Sequence, residues 1–110
     1  MKLLITGHTS YIAEELIKLI KVDPKFEIYL VGRNKGDDFF CDFSKFSSIK
    51  KFIENVVDKK HFDCVFINHG ILLGKKSLDL TETQIQDYMM VNCFSIVSIL
   101  EALTKHKDTN

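Results

Sequence analysis

The 110-residue sequence has no tryptophan, a single proline (Pro24) and only five glycines. Such a composition leaves no room for a low-complexity tract, a collagen-like repeat or a flexible linker. An excess of one charge sign is also missing, because fifteen basic residues balance fifteen acidic ones. That balance gives no electrostatic footprint for a nucleic acid or an anionic membrane surface. No apolar run approaches the roughly 18 residues of a membrane-spanning helix. The chain enters a strand almost at once, which argues against a signal peptide. Cys41, Cys64 and Cys93 are odd in number and far apart. They are expected to be buried thiols in a reducing compartment, with no metal site and the cytoplasm as default location.

What is there begins with Met1 to Lys21. Lys2-Leu3-Leu4-Ile5-Thr6 is a short apolar strand ended by Gly7, and polar His8-Thr9-Ser10 follow. Ile12, Ala13, Leu16, Leu19 and Ile20 then recur at helical spacing, with Glu14 and Glu15 near the helix start. A strand turning sharply into a helix aims unpaired N–H groups at the space above it, which suits a phosphate. An ordinary strand–helix turn would read the same way.

Asp23-Pro24 breaks the pattern. Phe26 to Val31 is a second strand closed by Gly32-Arg33-Asn34, and Asp38 to Cys41 is a short third one. The gap between them is too short for a crossover helix, so a loop carries the chain across. Ser44 reads as an N-cap for a helix to about Lys60, whose apolar face is Phe46, Ile49, Phe52, Ile53, Val56 and Val57. Phe62 to Asn68 is almost uniformly apolar, as a strand buried on both faces should be. Ile71 to Asp79 is a loop. Thr81 and Gln84 fit a capping box opening a last helix over 82–104, apolar on more than one face. The tail from Lys105 is expected in solvent.

This order predicts one α/β domain over 1–110: a Rossmann-like three-layer sandwich with a parallel four-stranded sheet in order 3-2-1-4. The switch point then lies between strands one and four, and ligands bind there, at the carboxyl ends of the strands. Four groups fall at those ends: Gly7 to Ala13, Gly32-Arg33-Asn34, Cys41-Asp42-Phe43 and Asn68-His69-Gly70. Each has a use toward a dinucleotide. Gly7 lets the backbone approach a pyrophosphate, Arg33 can pair with a 2′-phosphate, Asp42 can accept from an adenine amine, and Gly70 admits the ligand beside strand four. Each also has a plain alternative: a surface charge for Arg33, a helix-entry residue for Asp42, a turn for Gly70.

The spacing of these groups resembles the amino-terminal half of the short-chain dehydrogenase/reductase superfamily. ITGHTSYIA is similar to that family's T-G-x-x-x-G-x-G, with Tyr11 and Ala13 in place of the second and third glycines. CDFS is similar to its strand-three Asp motif. INHG is similar to its N-N-A-G, keeping Asn68 and Gly70. VNCFS is similar to V-N-x-x-G, with Ser95 in place of Gly, and puts Asn92 on the catalytic Asn. The resemblance implies a site for NADP(H) in preference to NAD(H), since Arg33 stands where NADP-preferring members carry a basic residue. It implies cofactor contacts at Gly7, His8, Thr9, Ser10, Tyr11, Ile12, Arg33, Asn34, Asp42, Phe43, Asn68, His69 and Gly70. The Tyr11 side chain has two places to go, against the diphosphate or into the core.

The departures bear on activity. The family needs a Tyr with a Lys four residues on. Here Tyr11, Tyr29 and Tyr88 are followed at that spacing by Glu15, Arg33 and Asn92. The chain therefore reads as a truncated, catalytically incomplete member. Without further strands, the edge of strand 62–68 and the last helix are expected to be covered in a homo-oligomer, most simply a dimer. Completion by a partner chain, and a nucleotide-free interaction module, are the alternative readings.

Overall fold

The computed structural model describes residues 1–107. The expectation of a solvent-facing tail falls on side chains and residues from His106 onward, outside those described. β1 (Lys2–Thr6), β2 (Glu27–Gly32), β3 (Phe39–Phe40) and β4 (Cys64–Phe66) form one parallel sheet in order β3-β2-β1-β4. The helices are α1 (Tyr11–Ile20), α2 (Phe46–Phe52), α3 (Glu82–Met89) and α4 (Ser95–Lys107). A wide π turn extends α2 over Ile53–Val57, and a second, Met90–Phe94, joins α3 to α4 in one continuous rod.

Strand alternation explains the layers. Leu3 and Ile5 point to one face and Leu4 and Thr6 to the other, because successive side chains on a strand alternate. Leu3, Ile5, Ile28, Leu30 and Phe66 pack with Ala13, Ile17 and Ile20 of α1. Leu4, Val31, Tyr29 and Val65 pack with Ile49, Phe52 and Val57 of the second helix and with Val91, Ile99 and Ala102 of the last. The expected three-layer architecture and strand order are present.

Several local expectations are corrected. Phe62 to Asn68 forms only three strand residues, and β4 is half-buried, because β1 is its single sheet partner. Cys41 is buried, but Cys64 and Cys93 are exposed, one on that edge strand and one on the outer side of the last helix. Ser44 does not cap α2. The N-cap is Lys45, without a side-chain bond, and the Ser44 hydroxyl donates to Asp42 instead. The Thr81–Gln84 capping box forms as read. The segment Glu82–Lys105 is, by length and composition, apolar enough to cross a membrane, at mean hydropathy 1.2, because a helical window tolerates Asp87 and Glu101. Its inner side nevertheless serves the core through Val91, Ser95, Ile99 and Ala102.

Ile99 is 0% exposed and bridges the last helix to the core. Truncating Ile99→Ala is expected to cost about 2–5 kcal/mol by urea unfolding, the range for a large core side chain whose cavity does not collapse.

Candidate functional site

The site is built where β1 and β4 diverge. Gly7 has φ +64°, a left-handed conformation that disfavours side chains. A Cβ there would come within 2.6 Å of the Asn68 carbonyl oxygen and 2.7 Å of the His69 nitrogen. Glycine is therefore required twice, by backbone angle and by the close approach of the β4 exit. Across this gap Thr6 Oγ1 accepts the Asn68 N–H at 3.0 Å and the His69 N–H at 3.3 Å. The Asn68 amide donates to the Gly7 carbonyl at 3.2 Å and to Ser10 Oγ.

Ser10 is the N-cap of α1, accepting the Ala13 N–H at 3.2 Å, a bond of a kind that stabilises a helix by roughly 1 kcal/mol. Among the described residues no protein acceptor takes the N–H of Tyr11 or Ile12. These two donors open the helix at its positive end.

Above the strands lies a cleft of about 510 Å³ lined by both sides of the switch point. Gly7, His8, Thr9 and Ser10 come from the first turn, and Arg33 and Asn34 from the exit of β2. Asp42 and Phe43 follow β3, and Asn68, His69 and Gly70 follow β4. The structure thus brings together eleven of the thirteen residues expected around a cofactor. Tyr11 and Ile12 are not in its wall: their side chains are 77% and 66% exposed. Tyr11 takes neither of the two places considered for it. As the first residue after the cap it points outward, leaving the hollow open. Sequence reading missed Ile71, Asp87 and Val91 as lining residues. Only the packing of the last helix against the β4 exit brings them there.

Asp42 is drawn into a local turn, accepting the Ser44 N–H at 3.0 Å and the Ser44 hydroxyl at 2.7 Å. Partial burial opposes its charge, but the Ser44 bonds and the nearby Arg33 and Lys45 prevail, so its pKa lies below the usual carboxylate value. Those bonds fall on Oδ1.

His69 is the half-buried centre of a hydrogen-bonded relay. Its ring stacks on Phe43 with centroids 3.7 Å apart and planes 2° from parallel. Nδ1 lies 2.8 Å from Thr6 Oγ1 and Nε2 2.7 Å from Ser95 Oγ. The Ser95 hydroxyl donates to the Val91 carbonyl at 2.7 Å, so it receives the proton of Nε2. Thr6 already accepts two N–H groups, so its own proton goes to Nδ1. One arrangement satisfies every group, and in it the imidazole is neutral. Burial pushes its pKa down to about 4, against the raising effect of the Val91 carbonyl.

Asn92, the expected catalytic residue, is outside the cleft wall. Its amide donates to the Ile71 carbonyl and accepts the Ile71 N–H, both at 2.8 Å. Tyr88 similarly bonds the backbone of Leu73. Both side chains pin the segment leaving β4. Gly70 keeps the space beside Asn92, since a Cβ there would lie 3.2 Å from its Oδ1. Among the described residues no cluster of His, Cys, Asp and Glu could hold a metal.

The same fold recurs in larger proteins. A short-chain dehydrogenase from Sphingobium yanoikuyae in complex with NADPH superposes with TM-score 0.76 at 14% identity, over 96% of this chain and 47% of its own. An oxidoreductase from Brucella ovis gives 0.75 at 19%, over 94% and 54%. The 3-alpha-hydroxysteroid dehydrogenase from Pseudomonas sp. complexed with NADH gives 0.69 at 20%, over 94% and 40%. The fold is that of short-chain dehydrogenases. This chain spans about half the length of those neighbours. No protein-family profile and no curated protein matches it in sequence.

A neutral, half-buried histidine makes stability depend on pH in a defined direction. The folded pKa of about 4 lies below the ordinary value near 6.5. The contribution is therefore complete above pH 6.5 and lost as pH falls toward 4. Urea unfolding at pH 7.5 and 4.5 should show roughly 2–3 kcal/mol of loss assignable to this residue. It is read as the difference between the wild type and His69→Gln in their pH dependence; equal dependence in both would refute the neutral relay.

Proposed function

We propose that this chain is a nicotinamide-dinucleotide-binding domain of the short-chain dehydrogenase type that does not transfer a hydride by itself. The observation that carries the reading is the open turn at Gly7. A left-handed glycine meets the β4 exit, a serine that lines the cleft caps the helix, and the two N–H groups that follow this cap have no protein acceptor among the described residues. That donor set fits a diphosphate. Loss of the second and third glycines does not spoil the fit, because Tyr11 turns outward and Ala13 is a small residue buried in the core.

The bound dinucleotide would supply hydride chemistry at its nicotinamide. The chain's own part is to bind and orient it. The N–H groups of Tyr11 and Ile12 receive the diphosphate, Arg33 and Asn34 face the adenosine ribose, and the free oxygen of Asp42 faces the adenine. Arg33 favours a 2′-phosphate, hence NADP(H) over NAD(H). No residue here serves as general acid. His69 is locked between Thr6 and Ser95, Asn92 is spent on Ile71, and no tyrosine has a lysine four residues on. A second reading, hydride transfer completed by another chain, draws support from the outer edge of β4, which no strand among the described residues covers.

A homodimer through the last helix is part of the proposal. Ile85, Met89, Val97 and Leu100 are 45–59% exposed and, with exposed Cys93, form one stripe at spacings of three and four along 85–100. Cys93 sits at its middle, so an antiparallel twofold pairing places Cys93 beside its symmetry mate.

Two measurements test this reading. Calorimetric titration should show both dinucleotides binding, NADPH more tightly than NADH. Ligand at about a hundredfold its Kd should add roughly 2.7 kcal/mol and raise the melting temperature by roughly 10 °C or more. Absence of heat and of thermal shift with either at about 1 mM, a Kd region worth only roughly 4 kcal/mol, rejects cofactor binding. For the dimer, light scattering should give twice 12.7 kDa, and mild oxidation should cross-link the wild type but not Cys93→Ser. A monomer at micromolar concentration sinks it.

A further inference from the structure

The residue facing the adenosine end of the cleft from the first turn is His8, and it covers a carboxylate that the sequence order hides. Asp37 lies five residues beyond the end of β2, inside the loop to β3. The loop folds back. Asp37 Oδ2 accepts the Asn34 N–H at 2.9 Å, and Oδ1 lies 2.7 Å from His8 Nε2. Gly32 makes this possible: a Cβ there would collide with the Asp37 carboxylate and lie 3.2 Å from His8 Nε2. The carboxylate therefore sits against Gly32 and Asn34, which are walls of the cleft, while its side chain is only 4% exposed. His8, at 14%, lines the cleft in its stead.

A carboxylate at the exit of β2 and an arginine at the same place have opposite uses. The carboxylate accepts a free ribose 2′-hydroxyl and repels a 2′-phosphate, whereas the guanidinium receives the phosphate. This chain carries both, Arg33 exposed on the rim and Asp37 covered. We propose that His8 acts as a cover on Asp37 and thereby sets the choice between dinucleotides with and without a 2′-phosphate. With His8 in place the ribose meets Arg33; with His8 removed it meets Asp37. The proposal deepens the dinucleotide-binding reading and rests on it.

The test is titration calorimetry of the full chain with NADP+ and NAD+, with far-ultraviolet dichroism and a melting curve to show that each variant is folded. Wild type should bind NADP+ more tightly. In His8→Ser the ratio of the two affinities should move at least tenfold toward NAD+, with NAD+ binding no weaker than in wild type. Adding Asp37→Asn, which keeps an acceptor for the Asn34 N–H, should return the ratio toward wild type. Arg33→Ala should lose the NADP+ preference whatever stands at position 8. A His8→Ser variant that weakens both ligands alike, or leaves the ratio unchanged, overturns the cover while leaving the dinucleotide reading intact. Wild type that binds neither ligand overturns both. Should His8→Ser fail to fold, His8→Asn with the same two ligands decides. The Asn amide stops short of the position of the imidazole Nε2 and leaves Asp37 partly uncovered, so a shift in the same direction is required.

Discussion

The whole arrangement hangs on the hydroxyl of Thr6. It stands at the carboxyl end of the central strand, fully buried, and takes two backbone N–H groups from residues more than sixty positions away. Two parallel neighbours must separate beyond that point, because one chain turns left-handed into a helix while the other runs into a loop. Separation leaves N–H groups of the β4 exit with no ladder partner, and a buried orphan of that kind costs roughly 1–3 kcal/mol. Thr6 absorbs two of them. Asn68 then closes the other side of the gap on Gly7 and Ser10. The cleft is thus the region where sheet hydrogen bonding stops and side chains replace it.

The His69 relay follows from the same threonine. The family pattern that the sequence resembles has Ala and Gly where this chain has His69 and Ser95. The imidazole alone would leave its Nε2 proton without an acceptor. Together they satisfy each other, and Thr6 and Val91 complete both ends. Removing the Ser95 hydroxyl would orphan the Nε2 proton beneath Phe43, whereas removing the imidazole would leave Ser95 still bonded to Val91. The pair therefore ties the last helix to the end of β1 by directional bonds as well as by apolar contact. A histidine serving in this way is unavailable for proton transfer.

Much of this was legible before any coordinates. Alternating apolar faces in β1 and β2, Gly7 followed by a helical repeat, and the short link between β2 and β3 fix a parallel sheet and its switch point, because few topologies satisfy them together. The turn residues were legible because glycine, serine and asparagine act there through local backbone chemistry. Other features were not. The extent of β4 depends on what lies beyond its open edge. Ser44 fails as a cap because Asp42 competes for its hydroxyl. The outward direction of Tyr11 follows from its place after Ser10, which the motif alignment with glycine obscured. Asp37 was invisible as a neighbour of the site because four residues of loop separate it from β2, and only the folding back of that loop brings it under His8.

Binding a dinucleotide and transferring a proton ask different things of different residues. Binding a diphosphate needs backbone N–H groups and a glycine, and sequence drift elsewhere leaves these untouched. Proton transfer needs a particular side chain with a free, suitably placed atom. In this chain several polar side chains near the cleft are engaged in holding it together: Asn92 on Ile71, Tyr88 on Leu73, His69 between Thr6 and Ser95, Asp37 against His8. Each such bond stiffens one wall and removes one candidate for catalysis. Groups left with spare capacity include the N–H pair opening α1, the Arg33 guanidinium and one oxygen of Asp42. These are suited to gripping an anion or a base. Such a distribution of free and committed groups is what the proposed nucleotide-binding role asks for.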